Sequence, residues 1–480
     1  MSNFKNHQSY IYLIIGFAFL FFSNGRWIIP GATFLAPLFL IRFYRFHKTL
    51  KGLLFIILAG WVSNFIIWKG MLPMSGVFYY FLAFMMSVFT SLTFLLDRVF
   101  TLRIKGIVST FIFPASYVLM EFIVVYANPS GSYGTLAHTQ SSLQLLQIVS
   151  LTGIWGVVFF ITWTSSLINW LWDNSFERSK IKTAFLVYGI PIGIILLFGQ
   201  ARLSIDTNGK TVRIASINVP KSSFENRYYP IPDSISEKAN ILFLKNCEIA
   251  SYSGAKVVFG IETAVRLNKD IEDVFISKAI AVAKKESIYL GLPMEVIPKD
   301  YPNLYPENKI VWISPKGQIL LTYHKAKPTP GEGNYGDGTI KYFDSPFGRI
   351  SSAICFDMDF PSLINQVRKM NIDIMLVPGN DWHEITPYHT YVASARAIEH
   401  GFNLVRATSR GVSASFNYKG QVLSFMDYFN TDDLIMYSDV PTKGRTTIYS
   451  ILGNYFAYLC IIFLLFMALK AIKKTKIASS

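Results

Sequence analysis

Three side chains in this 480-residue chain, Glu262, Lys325 and Cys355, have the types and the order that acyl transfer at a carbonyl needs. A cysteine thiolate attacks the carbonyl carbon and forms a thioester. A carboxylate takes the thiol proton and later passes it to the leaving group. An ammonium, helped by a backbone N–H beyond the cysteine, stabilises the oxyanion. Lys327 lies two residues from Lys325 and competes for the ammonium role. Glu332 adds another acid, and Asn380, Asp381 and Trp382 form a further polar group. Each residue also has an ordinary structural reading. A lone cysteine at a strand end is commonly a small core residue, and an acidic residue after a strand commonly belongs to a turn. The remaining cysteines, Cys247 and Cys460, sit in an amphipathic helical stretch and an apolar run, without CxxC spacing. Neither a zinc site nor a disulfide framework is expected.

The candidates share one placement, which is the reason to take them together. A strand over 256–260 precedes Glu262. A hairpin, 310–314 and 318–323 about the turn 315–317, precedes Lys325. The run Arg349–Cys355 reads as a buried strand that ends on the nucleophile. A helix is expected to open at Phe360-Pro361 and run to Met370, with its N-terminal N–H groups favouring a thiolate. A strand over 372–377 precedes Asn380. Strands at 212–218, 288–292, 403–408 and 411–417, with helices at 232–252, 270–286 and 388–400, complete an alternating pattern. That pattern predicts a layered α/β domain over 210–445, long enough to bury its own core. Open α/β folds build their sites at strand C-terminal ends.

The rest of the chain has another character. Hydrophobic residues make up 51% and charged residues 16%, which excludes an ordinary soluble protein. The formal charge of +15 comes largely from basic residues that flank apolar runs, which points to membrane orientation rather than nucleic acid. Spanning helices are predicted near 10–24, 27–44, 52–69, 77–97, 106–127, 144–172 and 183–200, and a last one near 448–469. Asn24-Gly25-Arg26 follows the first run where a cleavage site would need small residues, so that run is read as an uncleaved anchor. The transmembrane domain thus covers 1–205. Arg45, Lys48 and Lys51, then Arg98, Arg103 and Lys105, then Arg178, Lys180 and Lys182 occupy alternate loops. The positive-inside rule places these loops and the N-terminus in the cytoplasm, and 210–445 on the far side. The tail 470–480, with Lys470, Lys473, Lys474 and Lys476, is basic as a cytoplasmic end should be. Glu121 is an intramembrane carboxyl and so a functional candidate by default. A transporter would be expected to carry more such groups.

The motifs around these residues resemble those of the carbon–nitrogen hydrolase (nitrilase) superfamily and of its membrane branch, the apolipoprotein N-acyltransferase family. Phe259-Gly-Ile-Glu262-Thr-Ala264 is similar to a Trp-Pro-Glu-Thr-Ala motif. Tyr323-His-Lys325 through Glu332 is similar to Tyr-x-Lys…Pro-Phe-Gly-Glu. Cys355-Phe-Asp357 stands where Cys-Tyr-Glu is usual. Asn380-Asp381-Trp382, Ala395-Arg396-Ala-Ile-Glu399 and Arg406-Ala-Thr408 also correspond. Ile261, Phe356, Asp357 and Ser409 depart from the pattern, and one residue is missing between Pro330 and Gly331. The resemblance implies a nitrilase-like αββα sandwich tethered to a multi-span α-helical domain. It implies catalytic roles for Glu262, Lys325 and Cys355. Glu332, Phe356 and Asp357 would support the oxyanion side, and Asn380, Asp381 and Trp382 would meet substrate. No metal and no cofactor are implied. The expected reaction is ping-pong: a phospholipid acylates Cys355, and a diacylglyceryl apolipoprotein accepts the chain. The expected location is a bacterial inner membrane, with the catalytic domain periplasmic. The loops 224–232 and 298–306 are candidate lids at the membrane interface. A membrane-tethered amidase or nitrilase acting on a small amide remains an alternative, as does a transporter or scaffold with an inactive hydrolase domain.

Overall fold

The computed structural model describes residues 2–127, 130–205, 209–221, 233–329 and 331–479. Residues 128 and 129, Pro330 and the expected lid at 224–232 therefore lie outside the described residues. The chain forms two compact units, Met1–Ser204 with Leu452–Ser480, and Ile205–Ile451.

The first unit is helical. Among the described residues, six helices are long and apolar enough to cross a membrane: Thr49–Ile67, Gly76–Thr101, Ile107–Ala127, Ile154–Asp173, Arg178–Ser204 and Tyr455–Lys473. The two before them fall short of that standard. Ser2–Leu20 is apolar only over Ser9–Leu20, and Ala32–Arg45 has 14 residues with Pro37 inside. The span expected at 144–172 is corrected. It breaks into Leu143–Leu146, Val149–Thr152 and Ile154–Asp173, because Gly153 turns the backbone to φ 67°. That angle lies in the left-handed region, which a helix cannot pass through. The ends of the helices are tied by charge. Arg42 meets Asp173 at 2.6 Å, Arg45 also bonds Asp173, and Arg45 lies 3.9 Å from Asp97. The chain ends of helices 32–45, 76–101 and 154–173 thus share one end of the unit. At the other end the Asn24 amide donates to Gly134 O at 2.6 Å.

The second unit is a two-sheet sandwich. Its strands are β1 (Thr211–Ile217), β2 (Val257–Gly260), β3 (Val265–Asn268), β4 (Tyr289–Ile297), β5 (Glu307–Ile313), β6 (Ile319–His324), β7 (Tyr342–Ser345), β8 (Gly348–Ser352), β9 (Ile374–Asn380), β10 (Asn403–Ser409), β11 (Val412–Phe416), β12 (Val422–Asp427) and β13 (Ile435–Pro441). One sheet runs β13-β1-β2-β4-β5-β6, with β3 beside β4; the other runs β12-β11-β10-β9-β8-β7. In the first, β1, β2 and β4 are parallel; in the second, β8, β9 and β10 are. Parallel strands are covered on both faces, so they read as continuous apolar runs. Helices Asp233–Tyr252 and Glu272–Glu286 cover the first sheet, and Tyr388–His400 covers the second. The inner faces share one core, and the Trp312 indole donates across it to Ser352 Oγ at 2.9 Å. This is the expected αββα layering. The helix expected from Phe360 to Met370 is corrected to two short pieces, preceded by a 3-10 turn over Cys355–Asp359. The helix opens at Pro361 as expected, since proline suits a first helical position, but it ends at Ile364 and gives way to a 3-10 turn over Asn365–Lys369.

Candidate active site

Two sheet edges converge on one buried ammonium. Glu262 follows β2, and its N–H donates across the sandwich to Gly379 O at the end of β9, at 3.2 Å. Lys325 follows β6, and its N–H donates to Asn308 O on β5 at 2.9 Å. These bonds fix both backbones where the side chains leave. Lys325 Nζ then donates to Glu262 Oε1 at 2.8 Å and lies 2.8 Å from Glu332 Oε2. Asn308 Nδ2 bridges the two acids, at 2.8 Å from Glu262 Oε1 and 3.0 Å from Glu332 Oε1. The Thr329 N–H holds Glu332 Oε2 at 2.7 Å. The short loop between Pro330 and Gly331 therefore still delivers Glu332 to the lysine. Lys325 is 2% exposed and Glu262 3%, so water does not screen their pairing. Burial by itself pushes the lysine pKa down, but Glu262 and Glu332 outweigh it and hold the ammonium well above its ordinary value. Burial works against Glu332 too, and the Lys325 charge overcomes it, so that carboxyl is held below its ordinary value. Lys327 turns elsewhere, with its ammonium 4.9 Å from the centre of the Phe360 ring.

Cys355 closes the constellation. It follows β8 with φ 48°, a left-handed angle that costs a non-glycine residue on the order of 1 kcal/mol or more. Asp357 holds this elbow shut. Its carboxylate accepts from Ile354 N at 2.9 Å, the Tyr323 hydroxyl at 2.7 Å and Lys327 N at 2.8 Å. The nucleophile's turn is thereby bolted to the segment that carries Lys325. Burial pushes the Asp357 carboxyl up to about 6 against the pull of those donors. Burial likewise pushes the Cys355 thiol well above its ordinary value; Glu262 adds to this and Lys325 opposes it. At rest the sulfur is a thiol, and activation requires a base. The five-residue turn at Cys355 supplies only a trace of the helix dipole expected from a longer helix. Phe356 is half-buried and packs edge-on against Phe360 at 5.0 Å.

Behind the sulfur lies a second buried charge cluster. Arg406 donates through Nη1 to Asp381 Oδ2 at 2.7 Å and through Nη2 to Oδ1 at 2.9 Å. The His389 ring bridges Asp381 Oδ1 at 2.8 Å and Asp359 Oδ2 at 3.1 Å. Arg406 Nη2 lies 3.0 Å from His389 Nδ1 because both serve the same Asp381 oxygen. Burial lowers the His389 pKa, but Asp359 and Asp381 more than offset this and raise it to about 9. Burial raises the Asp381 carboxyl, yet Arg406 and His389 hold it far below its usual range. Cys355 Sγ, an Asp381 oxygen and a His389 nitrogen lie within 4.8 Å of one another. A protonated ring has no lone pair for a metal, so this cluster reads as a charge network rather than a metal site. Asp381 is fully buried, with both oxygens engaged by Arg406 and His389. Asn380 Oδ1 accepts from Ser409 Oγ at 2.8 Å and Arg410 Nη2 at 2.9 Å. Trp382 is half-buried and opens the turn His383–Ile385. In the loop 298–306, Leu304 and Tyr305 are exposed.

Asn308, Tyr323, Asp359 and His389 were not picked out as site residues from sequence. Asn308 carries no distinguishing signal, since it lies between Glu307 and Lys309 in the polar start of β5. The signal for His389 is its place one turn into a helix that follows Pro387.

Glutamate, lysine and cysteine at the strand ends of a two-sheet sandwich define a carbon–nitrogen hydrolase domain. A family model for carbon–nitrogen hydrolases matches residues 234–449, and one for the apolipoprotein N-acyltransferase N-terminal domain matches residues 3–167. Along the chain, a part similar to the N-terminal domain of apolipoprotein N-acyltransferases is thus followed by a part similar to carbon–nitrogen hydrolases. Among its relatives is apolipoprotein N-acyltransferase of Haemophilus influenzae, 24% identical over 77% of this chain and 76% of that one. The enzyme of the same name in Rickettsia bellii is 24% identical over 74% of each chain. A bifunctional nitrilase/nitrile hydratase of Lupinus angustifolius is 28% identical over 39% of this chain and 59% of its own. An amidase structure from Nesterenkonia is similar over 52% of this chain and 97% of that one, at 18% identity and a TM-score of 0.42.

Proposed function

We propose that this membrane protein is an N-acyltransferase that moves an acyl chain from a phospholipid to the N-terminal amine of diacylglyceryl-cysteine in apolipoproteins. The observation that carries the mechanism is the buried Lys325 shared by Glu262 and Glu332, within electrostatic reach of Cys355. Glu262 takes the Cys355 thiol proton as the sulfur attacks the ester carbonyl. The oxyanion that forms meets the Lys325 ammonium. Collapse breaks the ester bond, Glu262 returns its proton to the departing alkoxide, and a lysophospholipid leaves. The acceptor amine then attacks the thioester and loses a proton to Glu262. The second tetrahedral intermediate collapses to an amide, and Cys355 recovers its proton. Glu332 gives Lys325 a second counter-charge, which keeps it an ammonium throughout. Asp357 fixes the elbow, and Asp381, His389, Asp359 and Arg406 set the field behind the sulfur. We place the α/β unit on the periplasmic side of the inner membrane. The clustering of Arg42, Arg45, Asp97 and Asp173 at one end of the helical unit supports a common cytoplasmic face for the basic loops.

The test is to incubate purified protein with a phospholipid labelled in its acyl chain. A hydroxylamine-sensitive adduct is expected on the wild type and absent from Cys355→Ala. Adding a diacylglyceryl-cysteinyl peptide should move the label to its amine. An adduct that persists in Cys355→Ala, or none in the wild type, sinks the mechanism. Release of the label to water with the peptide untouched favours the hydrolase reading.

A further inference from the structure

The helical unit contains a cavity of about 350 Å³, within the range of roughly 300–1,000 Å³ typical of ligand pockets. Its wall is mostly apolar, with Leu40, Met86, Phe94 and Val124 among the lining residues. Phe89 and Ile123 also line it and are exposed, so it reaches the outer surface between helices 76–101 and 107–127. A lipid chain can enter from that side.

Among the described residues of this wall, the one carboxyl is that of Glu121. Its Oε1 accepts the Leu136 N–H at 3.0 Å, while Oε2 is buried without a hydrogen-bond partner among the described residues. Ser63 Oγ, also on the wall, is in the same condition. Among the described residues no lysine, arginine or histidine lines the cavity. A carboxylate in hydrocarbon is costly unless a cation or donors meet it. Glu121 lies six residues from the end of helix Ile112–Ala127, about 9 Å along its axis. It therefore sits well inside a helix of spanning length.

We infer that this cavity binds an amphiphile, with one acyl chain along the apolar wall and a primary ammonium on Glu121 Oε2. The ammonium supplies the cation that the wall lacks, and its remaining N–H groups suit hydroxyls such as Ser63. Two membrane molecules share this chemistry: an aminophospholipid, and the free amine of a lipidated cysteine. The site goes beyond the chemistry at Cys355, and its occupancy is measured in protein that cannot turn over.

Full-length Cys355→Ala protein in detergent is examined by native mass spectrometry against four probes. These are lysophosphatidylethanolamine, lysophosphatidylglycerol with the same chain, and a diacylglyceryl-cysteinyl peptide with its amine free or acetylated. At least one ammonium probe is expected to bind about tenfold or more tighter than its counterpart without an ammonium, as a desolvated charge pair allows. Whichever ammonium probe shows the larger gap identifies the source. Adding Glu121→Gln should erase the gap, while Met86→Trp, which fills the apolar wall, should weaken all four probes. The head-group comparison needs no change at Glu121, so it stands if that variant does not fold. Equal binding of the probes with and without an ammonium, or a gap that survives Glu121→Gln, overturns the assignment.

Discussion

At the scale of single residues, the chemistry turns on which lysine is buried between the acids. Lys325→Ala leaves Glu262 and Glu332 as unpaired buried carboxylates. Breaking such a pair costs roughly 3–5 kcal/mol of stability, and removing an oxyanion donor slows reaction by about 10²–10³-fold. Lys327→Ala loses only a ring contact worth about 1 kcal/mol or less, so acylation is expected to stay within about fivefold of wild type. Rates of adduct formation compare the two directly, and the reverse order would show that the ammonium is misassigned. His389 carries a second prediction, on pH. Its folded pKa of about 9 lies above the ordinary 6.5, so the folded state holds the proton more tightly. That stabilisation is complete below pH 6.5 and drains away as pH rises through 9, worth roughly 3 kcal/mol at most. The groups that face the ring are Asp359, Asp381 and Arg406. Thermal unfolding of the full chain from pH 6 to 9 should fall more steeply for wild type than for His389→Gln. Parallel curves would remove the ring's charge from the account. Glu262, Lys325 and Cys355 were legible in sequence because each directly follows a strand. His389 and Asn308 were not, because their partners come from elements 30 and 46 positions away and only folding brings them together.

At the scale of elements, one tie matters most: Asp357 joins the Cys355 turn to the end of β6. Three donors converge on its carboxylate, and its side chain is fully buried. Asp357→Glu restores the residue usual in related proteins but adds a methylene where no space remains. Overpacking of this kind costs about 1–3 kcal/mol. The variant is expected to unfold at lower temperature and to form the thioester more slowly, because the elbow shifts. Tyr323→Phe removes one of the three bonds and should cost about 0.5–1.5 kcal/mol. A more stable Asp357→Glu protein would mean that the turn has slack. The long core strands were legible as apolar runs, since burial on both faces leaves no alternation to confuse them. Strands β3, β7, β12 and β13 were not: β3 and β7 have only four residues each, β12 is at least partly exposed along its length, and β13 is interrupted by Ser438, Asp439 and Pro441. The helix expected after Cys355 starts at Pro361 but lasts only to Ile364, after which the chain hydrogen-bonds in 3-10 fashion.

At the scale of the whole molecule, the open question is how many helices cross the membrane. Ala32–Arg45 spans only about 21 Å, short of a hydrocarbon core of about 30 Å. Yet its C-terminal end carries Arg42 and Arg45, which pair with Asp173 at the end of a helix of full spanning length. Its N-terminal side follows the turn at Asn24, which bonds Gly134 in the loop beyond helix 107–127. Both ends are thus pinned to opposite ends of spanning helices, and the short helix must cross by drawing the bilayer in around it or by leaning on its neighbours. Parity cannot distinguish the cases for the α/β unit, since seven or five crossings before it both leave it on one side of residue 48. The turn at Asn24 does distinguish them. Single cysteines introduced near Gly25, Lys48 and Lys316 and in the basic tail are labelled with a membrane-impermeant maleimide in intact cells. Those near Gly25 and Lys316 should label from outside, once the outer membrane is permeabilised, and those near Lys48 and Lys473 only after lysis. Protection near Gly25 with labelling at Lys316 would reduce the membrane unit to six crossings. Protection at Lys316 would place the catalytic cysteine in the cytoplasm, and with it would fall the proposal that this protein acts on exported lipoproteins.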